Sequence, residues 1–258
     1  MKGIIINLQR IQILRSILSA RLLLCSILIS LIVIATISSF LSSTYGSIDL
    51  LGMGLTGAHG NLMLVLGTLP LIPFTLSFAS EWQERAVFPW VMRTGVTLYT
   101  LSKFLFSAIS AFLTTVVGLV LVVVLLTLWF PLNQGVYIED AYSVYVENNE
   151  LIRYLVIYIS HVALSSSIFA MIAFFVSTVI PQPIVVLASP AVFYFVWHRI
   201  TSTLSIPGYL RALYIFESIY DAGSPLRTFG LKLMIALIIA LPLSYLSVYC
   251  VKRRVAHG

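Results

Sequence analysis

Phe104 to Phe130 reads FLFSAISAFLTTVVGLVLVVVLLTLWF, a run without a single charged side chain. A helix rising about 1.5 Å per residue needs about 20 apolar residues to cross a hydrocarbon core some 30 Å thick. This run exceeds that length, and it is apolar on every face, as a helix in lipid or in a deep core must be. The composition of the 258-residue chain decides between the two: 60% of residues are hydrophobic, 9% are charged and the mean hydropathy is +1.04. A soluble domain is about one quarter charged, so this chain has too few charges to coat a water-facing globule. The reading is an all-α integral membrane protein.

Working outward from 104–130, five more apolar runs emerge. They are 22–43, 61–80 with Pro70 and Pro73 inside it, 154–180 closed by Pro181-Gln182-Pro183, 184–200 with Pro190, and 233–251 stopped by Lys252-Arg253-Arg254. Six transmembrane helices are therefore expected, the fifth being short because it meets Arg199 after fifteen residues. Basic residues are retained on the cytoplasmic side. Lys2, Arg10, Arg15, Arg21, Arg85, Arg93, Lys103, Lys252, Arg253 and Arg254 fall on one side of such a six-span chain. The other side holds seven acids and five bases, which predicts both termini inside. The formal net charge of +6 then records topology and gives no reason to invoke nucleic acid. Residues 1–21 are basic and of helical length, with Ile11, Leu14 and Leu18 on one stripe, and read as a helix along the cytoplasmic interface. No small-x-small cleavage site follows the first run promptly, so span one is expected to be retained.

Several chemistries lack their residues. A P-loop needs Lys directly after Gly, whereas Lys2, Lys103, Lys232 and Lys252 follow Met, Ser, Leu and Val. Neither His59, His161, His198 nor His257 has the helical His or Glu partner of a metalloprotease motif, and Cys25 and Cys250 lack neighbours at zinc-ligand spacing. No cofactor or metal is expected in this chain. His161 and Ser165 are four apart on span four and share a helix face. They are the candidates for an intramembrane enzyme, and His161 is the one ionisable side chain expected inside the bilayer. A Ser in a membrane helix more often hydrogen-bonds backbone or a neighbouring helix.

The segment after span two, 81–103, mixes Glu81, Trp82, Glu84, Arg85, Trp90, Arg93 and Lys103 with apolar residues. Such a segment suits a short interfacial helix with aromatic anchors and a polar face toward a cytosolic partner. Its order of features resembles the bacterial ABC-2 type transporter permeases, in which the segment runs E-x-x-E-x-G-T, apolar stretch, P-x-[ST]-R, apolar stretch, K. Glu81, Glu84, the run Val87 to Met92 and Lys103 fit, while the usual Gly-Thr does not follow Glu84 and Gly95 stands near the expected Pro. The resemblance covers the whole chain in layout and the 81–103 loop in motif. It implies a bacterial cytoplasmic-membrane exporter subunit that pairs with a second permease and with separate ABC ATPase subunits, which hold ATP and Mg. It further implies that 81–103 is the coupling loop and that the outer segment 201–228 forms short re-entrant helices before span six. The substrate would be hydrophobic or amphipathic. The alternatives are the intramembrane enzyme and a membrane immunity or sensor subunit that transports nothing.

Overall fold

The apolar runs fold into helices, and no strand occurs among the described residues. The computed structural model describes residues 12–38, 45–56, 62–132, 140–204 and 206–257. Positions 1–11 of the expected interfacial helix, 39–43 of span one, Asn61, His59 and Glu139 lie outside the described residues.

Helix α1 is Ala20–Ile37, its N-terminus capped by Ser19, whose Oγ accepts from the Leu22 N–H at 3.3 Å. A short α2, Ser47–Thr56, follows. After the second apolar run come α3, Ser77–Gln83, and α4, Val87–Thr94. Helix α5 is Val96–Thr127, α6 is Ser143–Glu147, α7 is Leu151–Val179, α8 is Pro183–Thr203 and α9 is Pro225–His257. Among the described residues five helices are long and apolar enough to cross a membrane: Gln12–Ile37, Val96–Thr127, Leu151–Val179, Pro183–Thr203 and Pro225–Ala256. The fifth expected span, 184–200, gains length by continuing through Arg199. Its 21 residues reach about 31 Å at 1.5 Å per residue.

The run at 61–80 is the exception, because it forms no single α-helix. It begins as a π-helix, Met63–Thr68, tightens to a 3₁₀ turn, Leu69–Leu71, and passes through turns before α3. Pro70 and Pro73 each lack the N–H that would bond four residues back, and their rings crowd that carbonyl. The freed groups are taken up by other spacings, such as Ile72 N–H to Leu69 O at 3.3 Å and Thr75 N–H to Leu71 O at 3.0 Å. Such a break survives at depth only where the chain is enclosed by protein, and Val65, Leu66, Pro70, Leu71, Phe74 and Phe78 are all buried. Gly67 lets the segment lie against the in-helix proline of α8, since a Cβ there would sit 3.2 Å from Pro190 Cβ.

Helix α7 is the centre of the bundle, its most apolar window 72% buried against 22% for that of α9. Small polar residues stitch α5 to its neighbours. Ser26 Oγ donates to Thr114 O at 2.9 Å, Thr115 Oγ1 to Ser166 Oγ at 2.8 Å, Ser167 Oγ to Ala108 O at 3.1 Å, and Thr75 and Ser107 share a 2.6 Å hydrogen bond. In a helix bundle bathed by lipid such contacts contribute about 0.6 kcal/mol each and up to about 2. Leu23, Leu24, Ile27, Leu28 and Leu31 of α1 and Leu237, Ile238 and Leu241 of α9 remain exposed on the outside.

Contacts gather the four segments read as cytoplasmic at one end. Arg15 meets Glu81, Gln83 Nε2 donates to Pro181 O at 3.2 Å, and Arg254 donates to Val179 O while its guanidinium lies 5.4 Å from the Trp82 ring centre. The opposite end collects α2, residues 128–132, the 140–150 segment and the short helices Gly208–Leu210 and Leu213–Glu217 that precede α9. The broken segment joins the two ends, with Leu62 at one and Glu81 at the other.

Candidate functional site

Two polar constellations stand out against this apolar background, one at each end of the bundle. At the first, α3 sets Glu81 in the bundle, and α5 brings Lys103 and Tyr99 up beside it. Lys103 Nζ is 2.7 Å from Glu81 Oε1 and donates to Ser77 Oγ at 3.0 Å, Tyr99 Oη donates to Glu81 Oε2 at 2.6 Å, and Arg15 Nη1 stands 3.4 Å from Oε1. The Lys103 side chain is fully buried, and its ammonium lies 4.9 Å from the centre of the Phe74 ring. An ammonium removed from water costs several kcal/mol unless paired and hydrogen-bonded. Glu81, Ser77 and the ring together meet that condition.

This clamp fixes the two ends of the 81–103 loop. Between them α3 closes with a Schellman arrangement: Ala86 N–H reaches Glu81 O at 2.8 Å, Arg85 N–H reaches Trp82 O at 3.1 Å, and Arg85 takes φ 57°. That left-handed position is one glycine usually fills, and an arginine occupies it here. Helix α4 is amphipathic, burying Val87 and Val91 and exposing Pro89, Met92 and Arg93. Gly95 (φ 80°, ψ 149°) ends α4 and starts α5. Trp82 stacks on Phe78 at 6.1 Å and meets Phe88 at 5.7 Å, tying α3 to α4.

The seven sequence-predicted residues therefore separate into two groups. Glu81 and Lys103 form the buried pair, Trp82 and Trp90 are half-buried, and Glu84, Arg85 and Arg93 face outward. Sequence reasoning missed Arg15, Ser77 and Tyr99 as partners. Tyr99 lies four residues before Lys103, a spacing that places both on one helix face, so that signal was present.

At the other end His161 and Ser165 are both buried but do not form a dyad. Tyr142 Oη is 2.8 Å from His161 Nδ1, and His161 Nε2 has no partner among the described residues. Ser165 Oγ donates to Ile215 O at 3.2 Å and accepts from Lys232 Nζ at 2.9 Å, while Lys232 also donates to Ile215 O. Lys232, read from the sequence as an outer-loop charge, lies within α9 and is 2% exposed. Beyond the Glu81–Lys103 pair, His161 is thus joined by another ionisable group buried inside the helices, a correction to the sequence reading. Its physical reason is that α9 starts at Pro225, eight positions before the charge-free run begins. The clue was the apolar neighbourhood of Lys232, between Leu231 and Leu233.

His161 and Ser165 line a cavity of about 210 Å³ together with Tyr154, Tyr158, Asp140 and Glu217. Tyr154 Oη donates to Asp140 Oδ2 at 2.7 Å, the Tyr142 N–H donates to Oδ1 at 2.8 Å, and Tyr194 Oη donates to Glu217 Oε1. Burial pushes the Asp140 carboxyl up, against the lowering effect of those donors. Among the described residues no three His, Cys, Asp or Glu side chains are grouped to hold a metal ion.

No family model, no curated protein and no solved structure matches the chain.

Proposed function

We propose that the chain is the membrane-spanning permease subunit of an ABC-type exporter, crossing the bilayer six times with both termini inside and moving a hydrophobic or amphipathic substrate outward. The observation that carries this reading is the build of the 81–103 loop. A short amphipathic helix presents Pro89, Met92 and Arg93, with Glu84 and Arg85 beside it, and is anchored at its root by a buried Glu81–Lys103 pair. A lever must be stiff where it joins the helices it moves and exposed where a partner grips it, and this loop has both properties. The same end gathers the 181–183 turn and Arg254, so that a partner pushing on α4 would act on α3, α5 and the α7–α8 turn together. ATP and Mg would be held by separate ATPase subunits, and the exposed apolar faces of α1 and α9 are available to lipid and to a second permease.

Purification in mild detergent tests the reading, because a stoichiometric P-loop ATPase should accompany the chain. Exchanging the charges of Glu84 and Arg85 should abolish substrate-stimulated ATP hydrolysis and leave membrane insertion intact. A chain that purifies alone, or stimulation that survives the exchange, refutes it.

A further inference from the structure

We infer that the cavity at the opposite end of the bundle is a binding site for a small protonated amine with an apolar or aromatic body. None of its residues belongs to the 81–103 loop, so the site stands independently of the exporter reading.

An orphaned nitrogen marks the site. His161 is 4% exposed, lines the cavity, and its Nε2 has no partner among the described residues, although a buried polar atom left without one costs about 1–3 kcal/mol. Its Nδ1 shares a 2.8 Å hydrogen bond with Tyr142 Oη, and the direction of that bond sets whether Nε2 is a donor or an acceptor. The donors nearby are largely engaged: two of the three Lys232 N–H groups go to Ser165 Oγ and Ile215 O, and the Ser165 proton goes to Ile215 O. The free acceptors on the lining are the spare lone pairs of Asp140 and Glu217, whose Oε1 alone is engaged. A ligand that brings N–H donors satisfies them.

Charge points the same way. Asp140 and Glu217 against Lys232 leave the site formally one negative charge in excess, in surroundings that screen poorly. The walls suit the rest of such a ligand. Tyr154 and Tyr158 are stacked at 5.5 Å and 15°, and Phe216 closes another side, offering ring faces that attract cations as well as apolar groups. Leu62, Leu66 and Ile219 complete an apolar floor. Few convergent polar groups in a mainly apolar cavity is the usual make-up of a small-molecule site.

Three near-isosteres that differ in charge test this: 2-phenylethylamine, 2-phenylethanol and phenylacetate, applied to the full chain in detergent at pH 7. Equilibrium dialysis should show saturable binding of the amine, at least about tenfold weaker binding of the alcohol, and no saturable binding of the acid. Glu217→Gln should weaken the amine by about tenfold or more, and His161→Phe, which fills the cavity, should remove saturable binding. In protein carrying ¹⁵N-labelled histidine, the amine should shift the Nε2 resonance of His161. Alcohol binding as tightly as amine makes the cavity a plain apolar hole and overturns the proposal. Tighter binding of phenylacetate assigns the site to anions through Lys232, and likewise overturns it, as does amine binding that is not saturable or is unchanged in Glu217→Gln. Asp140 has two donors on its carboxylate whereas Glu217 and His161 each have one hydrogen-bond partner among the described residues, Tyr194 and Tyr142, so Glu217 and His161 are the deciding positions, and thermal melts of both variants establish that they are folded.

Discussion

Breaking the Glu81–Lys103 pair from either side should give unequal losses, and the inequality follows from the geometry. At 2.7 Å and an effective dielectric constant of about 20, the gross attraction is about 6 kcal/mol, most of it offset by the cost of burying two charges. Glu81→Gln removes the only counter-charge within 4 Å of a fully buried ammonium among the described residues, leaving it neutral acceptors and the Phe74 and Tyr99 rings, and removing one partner of a buried pair costs about 3–5 kcal/mol. Lys103→Met leaves a carboxylate that is 12% exposed, still accepts from Tyr99 at 2.6 Å and still faces Arg15 at 3.4 Å. That loss should be about 2 kcal/mol, nearer the cost of an ordinary charged hydrogen bond. The double variant has no stranded charge, so it should cost at least about 2 kcal/mol less than the sum of the singles. Reversible unfolding in mixed micelles, followed by tryptophan fluorescence, reads all four corners of the cycle. Additivity within about 0.5 kcal/mol, or a Lys103→Met loss larger than that of Glu81→Gln, would refute the clamp.

Other positions yield simpler tests. Gly95 holds φ 80° and ψ 149° with nothing within 4 Å of an added Cβ, so Gly95→Ala should destabilise by about 1–3 kcal/mol through backbone strain alone. Gly230→Ala in α9, equally open but helical, should be neutral or stabilise by about 0.5–1 kcal/mol, and the pair of melts separates backbone conformation from crowding. Arg85→Gly should raise stability by up to about 1 kcal/mol by relieving the left-handed residue, yet weaken retention of the proposed ATPase partner in pull-downs; full retention would show that only the turn matters there. At the α1–α5 crossing a Cβ on Gly118 would meet Ile29 Cγ2 at 2.8 Å and Ser26 O at 3.1 Å. Gly118→Ala should therefore cost about 1–3 kcal/mol in the same unfolding assay.

The apolar runs at 22–43, 104–130, 154–180, 184–200 and 233–251 were legible because hydrocarbon demands a length and a lack of charge that few other constraints imitate. The seven residues of 81–103 were legible as a polar island in an apolar chain. Which of them is buried could not be read there. Glu81 and Glu84 differ in no local respect, yet one faces α5 and the other solvent.

Hydropathy is a property of single residues summed along a run, and it needs no knowledge of neighbours. Reading along the chain was therefore enough to establish that it is helical and built from spans, where most of those spans lie, and which loop is polar. Three-dimensional packing was needed for the rest: that the 61–80 run breaks into π, 3₁₀ and α pieces, that Lys103 is paired with Glu81, that Lys232 lies inside the bundle, and that His161 lines a cavity with its Nε2 unpaired among the described residues. Each of those outcomes depends on which groups from other helices arrive within about 3 Å, a hydrogen-bonding distance. That distance is set by contacts between segments far apart in the chain.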